Sequence, residues 1–170
     1  MSSTRSVSEI RNLGTCRVNY RGRDMGHTQG GVTVKITVEK REVVVDEYGV
    51  VPVDVVDVGT TIEATVPLVQ ASFDNWNDAF PTLVASILAG NILSSGRRVG
   101  TSLTSGRLVL DPLRVADTDG LVIYKAYVDD VAELSYTNES ERIVAITFKG
   151  MVDTGRTEGD KVFRVFGGMS

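Results

Sequence analysis

Between Gly30 and Gln70, apolar and polar residues alternate with a regularity that suits paired strands and nothing else of comparable length. Val32, Val34, Ile36 and Val38 are interleaved with Thr33, Lys35, Thr37 and Glu39, the period of two that gives a strand one buried and one wet face. A second run sets Ile62, Ala64, Val66 and Leu68 on one side and Glu63 and Thr65 on the other. Between them, Asp46-Glu47-Tyr48-Gly49 begins with the acceptor and ends with the glycine that a type I turn prefers, and it separates two valine-rich arms. The segment reads as a long, two-faced antiparallel hairpin, a unit for self-assembly rather than catalysis.

Taken in order, a Gly-Gly-Val strand from Gly30, the Asp46-Glu47-Tyr48-Gly49 turn, Val51-Pro52-Val53-Asp54, Gly59 and an alternating strand to Leu68 resemble the major tail tube proteins of long-tailed, siphovirus-like bacteriophages. The likeness lies over about residues 26–70 and elsewhere rests on the order of elements. It implies a mainly β fold, a β-sandwich of two packed antiparallel sheets with one short α-helix and the long hairpin. It also implies subunits that form rings, usually hexameric, whose inner strands join into one barrel and which stack into a helical tube for DNA ejection. Partners would then be other copies of the chain, tape-measure proteins, and tail terminator or baseplate proteins. DNA would pass without specific binding, and the protein would be made in the host cytoplasm and reside in the virion. Related tubes serve contractile tails, type VI secretion and phage-derived bacteriocins.

Composition agrees. With 51 of 170 residues being Val, Thr or Ile, restricted side-chain torsion favours strand over helix. One domain over residues 1–170 is the simplest division, with residues 1–14 as an N-terminal arm and 153–170 as a C-terminal extension. No run approaches the roughly 18 apolar residues that a membrane span needs, so insertion into a membrane is not expected. Cys16 alone forms no internal disulfide, which fits a reducing compartment, and its expected role is a small buried side chain.

The net charge of −4 opposes tight nucleic-acid binding, which needs clustered Lys and Arg. A conduit has the opposite requirement, since an acidic or neutral wall keeps a water layer against sliding phosphates. The polar strand faces supply candidate lumen residues Glu39, Glu63, Asp129 and Glu133; the alternative for each is an ordinary solvated charge. Candidate assembly contacts are a hairpin tip around Glu39 and Glu42 and the turn residues Asp46, Glu47, Tyr48 and Gly49.

Elsewhere, a strand is expected over residues 15–20, then a glycine-rich loop over 21–31. Residues 72–89 read as helix, because Phe73, Trp76, Phe80, Leu83, Val84, Ile87 and Leu88 recur at three- and four-residue steps; Pro81 places the regular part after an irregular first turn. Residues 93–106 read as an exposed loop rich in Ser, Thr and Gly. Further strands are expected over residues 107–110, 121–129, 131–136, 141–152 and 162–166, with the second of these apolar on both faces. The last could either meet neighbouring subunits or close the chain's own sheet.

No catalytic, cofactor or metal group is expected. His27 is the single histidine and Cys16 the single cysteine, so neither a His nor a Cys metal cluster can form within one chain. No Gly-x-Ser-x-Gly elbow is present, and Gly22-Arg23-Asp24-Met25-Gly26 lacks the Lys-Ser or Lys-Thr of a phosphate loop. The carboxylate pairs Asp54/Asp57 and Asp129/Asp130 diverge on a regular strand, and Asp117-Thr118-Asp119-Gly120 lacks the later glutamate of a calcium loop. The competing function is a monomeric or dimeric β-sandwich module that binds carbohydrate or a partner protein through the loops at 21–31 and 94–106.

Overall fold

The computed structural model describes residues 16–69, 83–86, 92–95, 99–100, 102–113, 120–131 and 143–166. They form ten strands: β1 (Cys16–Tyr20), β2 (Arg23–Asp24), β3 (Thr33–Val44), β4 (Pro52–Leu68), β5 (Leu83–Ser86), β6 (Ile92–Ser95), β7 (Gly106–Pro112), β8 (Gly120–Val131), β9 (Val144–Met151) and β10 (Phe163–Phe166). The fold is mainly β, as the composition requires. Eight strands make one antiparallel sheet in the order β2-β1-β7-β8-β9-β4-β3, with β10 also on β8, and β5-β6 form a separate ladder.

That sheet rolls up on itself. Beyond β2, Met25 N–H donates to Val18 of β1 at 2.8 Å, while three residues later Thr28 bridges to Leu68 of β4. The Gln29 amide donates to Pro67 and the Val69 amide to His27, so one segment ties both ends of the strand order together. The described residues thus form one continuous rolled sheet, with β5-β6 as a separate ladder, in place of the two packed sheets expected. The inward residues follow the alternation in β1, β4, β7 and β9, with Val18 and Tyr20, Ile62 to Leu68 at every second position, Leu108 and Leu110, and Val144, Ile146 and Phe148; in β8 a register shift against β7 changes the inward parity from Ile123 to Ala126 and Val128. Gly150 lies among them because a side chain there would sit 2.5 Å from Ile62 and 3.2 Å from Ile123.

β8 has neighbours along both edges. Residues 121–126 pair with β7, and on the other edge residues 120–123 pair with β10 while the stretch from Lys125 onward pairs with β9. Adjacent Val122 and Ile123 are both buried, which is the two-sided covering anticipated for this strand. β10 thus closes part of the chain's own sheet.

Two expectations are corrected. Leu83–Ser86 are a strand paired antiparallel with Ile92–Ser95, not part of a helix, and Leu93 to Ser95 are strand, not loop. Short apolar runs fit either period, and Pro81 just upstream together with β-branched Val84 and Ile92 tips the choice toward pairing. The rest of the expected helix, including Phe73 and Trp76, lies outside the described residues, as do 132–136 and 1–14. The only helical turn among the described residues is the 3₁₀ turn Asp46–Tyr48.

Candidate assembly surfaces

The long hairpin leaves the body of the protein. Ile62 is fully buried, yet its cross-strand partner Ile36 is 45% exposed, and from Lys35 to Gly59 every residue is exposed. The outer part carries Val43, Val44, Val45, Val50, Val51, Val53, Val55 and Val56 in water. Their partners show that both faces of the ribbon are involved: Val55 faces the side of Glu42, and Val56 the side of Arg41. Irregularities between Glu39 and Lys40 and between Val43 and Val44 keep it twisted. At the first, the Asp57 carboxylate accepts from the Gly59 amide at 3.0 Å. Among the described residues nothing pairs with the outer edge of β3, and β9 covers β4 only over residues 63–68, leaving β4 open from 52 to 62.

The tip is a tight turn. Tyr48 N–H donates to Val45 at 3.1 Å and Gly49 N–H to Asp46 at 3.4 Å. Gly49, at φ 68° and ψ −129°, occupies backbone that only glycine adopts without strain. Asp46, Glu47, Tyr48 and Gly49 are therefore at the extremity, as read from the sequence. Glu39 and Glu42 are not; they flank the mid-arm irregularity, because strand pairing continues past them to Val44.

Charge is segregated onto this arm. Residues 39–57 hold Glu39, Glu42, Asp46, Glu47, Asp54 and Asp57 against Lys40 and Arg41, a net −4 that equals the charge of the whole chain. The remainder is balanced.

Of the lumen candidates, the fold brings Glu63 and Asp129 together and adds a residue that the sequence reading missed. Lys149 Nζ lies 3.3 Å from Glu63 and 3.6 Å from Asp129, and Lys35 stands directly opposite Glu63. Cations and carboxylates thus alternate across β3, β4, β9 and β8. Thr33, Thr65 and Thr147 form the neighbouring row, with the Thr65 and Thr147 hydroxyls 3.4 Å apart. The hydrogen bond to Glu63, helped by the Asp129 charge, raises the Lys149 pKa above its usual value. Glu39 continues this face along the arm, and Glu133 lies outside the described residues. The Ile146-Thr147-Phe148-Lys149 alternation was the signal that could have found Lys149.

A different part of the outer surface is a groove of about 670 Å³ over β7, β8 and β10, floored by Val109, Val122 and Phe166 and edged by Arg107, Arg156 and Arg164. Asp160 anchors it. Its carboxylate accepts from the Tyr124 hydroxyl at 2.6 Å, from Arg164 at 2.7 Å and from Arg156 at 3.0 Å, while Arg156 also stacks 3.6 Å from the Tyr124 ring centre. The Tyr124 hydrogen bond and the two guanidiniums hold the Asp160 carboxyl below the usual range. Asp153 is likewise lowered by its 3.2 Å pair with Lys125 and by the Gly155 amide.

The loop at 21–31, where a binding module would take its ligand, borders a shallow pocket of about 290 Å³ lined by Cys16, Arg17, Asp24, His27 and Leu113. Arg17 is engaged with Asp24 at 3.1 Å. Cys16 is half-buried, and its pKa is raised first by that burial and then by the nearby Asp111 charge. Among the described residues no group of three His, Cys, Asp or Glu side chains converges as a metal would need, and no helix is long and apolar enough to cross a membrane. No protein-family model matches the chain, and no curated protein matches it either.

Proposed function

We propose that this chain is a structural subunit that assembles with its own copies into stacked rings, forming a hollow tube through which DNA passes, in the manner of the phage tail tubes its hairpin resembles. The observation that carries this reading is the projecting ribbon with valines exposed on both faces and both edges open. A lone two-stranded hairpin is marginal in water, and open apolar edges are a hazard to a monomer. In an assembly both become interface.

The face of alternating charges and threonines across β3, β4, β9 and β8 suits the conduit wall. Lys149 offsets Glu63 and Asp129, so the wall is close to neutral and strongly hydrated, and gives a sliding polyanion neither a cationic foothold nor an apolar patch. Tape-measure and terminator or baseplate proteins are the partners this role requires, and the virion the place it operates. Electron microscopy of the purified protein over a concentration series, with light scattering on the same samples, tests the proposal. Hollow tubes or stacked rings are expected; particles that stay monomeric or dimeric at all concentrations would overturn it.

A further inference from the structure

The arm needs a surface to bury its valines against, and the chain carries one of matching chemistry. Resting on the self-assembly reading above, we propose that the distal arm of one copy docks in the groove over β7, β8 and β10 of another. The groove's floor of Val109, Val122 and Phe166 is apolar where the arm is apolar. Its charge is opposite in sign: Arg107, Lys125, Arg156 and Arg164 against Asp153 and Asp160 leave two positive charges in excess, facing the arm's −4. The arm combines valine and negative charge over its whole length. Opposite potentials set the register and speed the encounter, while the exposed parts of Phe166 and Val109, beside the already buried Val122, supply apolar area to be covered.

The groove is also built to keep its shape. Two of its arginines are pinned by one carboxylate, one of them is stacked on Tyr124, and the Phe166 ring closes over Gly120, where even a single added carbon would come 2.0 Å from it. A preformed receptor loses little conformational freedom when it is filled. Beyond Arg107 the surface continues over β1 as a second depression lined by Arg17, Asn19 and Asp111, which gives an extended ribbon room to lie along the strands.

The test places the photo-crosslinking residue p-benzoylphenylalanine at Tyr48 and mixes isotopically heavy and light protein before irradiation. Cross-linked peptides joining position 48 of one isotope to residues 107–109, 122–124 or 164–166 of the other are expected. Cross-links between copies that fall elsewhere, or assemblies that form without a cross-link to the groove, would overturn the docking site and leave self-assembly standing. Monomers at all concentrations, or heavy-heavy and light-light products only, would remove both or place the arm within its own chain. Arg107→Glu should weaken association at least tenfold at low salt, and Glu47→Lys in the same chain should restore part of it. An unchanged association in the Arg107→Glu protein, with its fold intact by circular dichroism, also counts against the site.

Discussion

The rings of Tyr20 and Phe148 meet with centroids 4.8 Å apart at an angle of 52°, although β1 and β9 are separated by β7 and β8 in the sheet. In a flat sheet three strand spacings would put them about 14 Å apart. The contact is therefore the signature of the roll, reinforced by the Tyr20 hydroxyl donating to the Ala126 carbonyl at 3.3 Å across the interior. Phe148→Ala removes a fully buried ring at the point of closure and should destabilise the protein by about 3–5 kcal/mol. Denaturant unfolding measures this; a loss below about 1 kcal/mol would contradict the rolled core.

The Asp160 clamp makes the groove acid-sensitive. Asp160 and Asp153 have folded pKa values below their ordinary 3.8, so their stabilising contribution is complete above that value and is lost as pH falls through the folded values. Hydrogen exchange should show the Tyr124 amide, bonded to Val162 at 3.1 Å, and the Asp153 amide, bonded to Lys161 at 2.8 Å, losing protection below pH 3.8. Asp160→Asn should show that loss already at neutral pH.

Lys149 acts at the other end of the scale. Its raised pKa means that its contribution is complete below about pH 10.5 and disappears as pH rises through the higher folded value. Lys149→Met should shrink the alkaline limb of the stability curve, read by thermal melts between neutral pH and pH 12, to the part that Tyr124 and Tyr127 contribute through their own burial-raised pKa values, while leaving the acid limb unchanged. An identical alkaline limb in the variant would refute the pairing with Glu63 and Asp129.

Gly49→Val separates the arm from the body. No atom lies within 4 Å of the added carbon, so the cost is purely one of backbone at φ 68°, roughly 1–3 kcal/mol at the turn. The melting of the rolled core should be unchanged while assembly, followed by light scattering, falls sharply. Equal assembly in wild type and variant would show that the tip geometry is not used.

Much of this was legible because period-two alternation is a local property. Val34, Ile62, Ala64 and Val66 could be assigned to one face from the sequence, and Phe163 to Phe166 could be recognised as a strand. What escaped depends on register between distant strands. Nothing near Lys149 in the chain announces Glu63 or Asp129, and the extra residue at Val58 that lets Lys40 face Asp57 is set by pairing alone. Leu83 to Ser86 failed for another reason: a short run of Leu, Val and Ala satisfies both helical and strand periods until its partner is known. The Asp160 clamp left a trace in the four-residue spacing of Arg156, Asp160 and Arg164, but that spacing suggests a helix and here belongs to a turn leading into β10.

The concentration of a charge of −4 on residues 39–57 has a consequence for how free copies of the arm meet one another. A valine-rich ribbon with open edges is the kind of segment that stacks on identical segments and grows fibrils. With four excess negative charges on each, two ribbons repel as they draw within a Debye length, about 8 Å at physiological salt. Like does not meet like. Under the proposed docking, the same carboxylates that would stabilise a correct junction would keep free copies from seeding one another, and added salt would weaken both effects together.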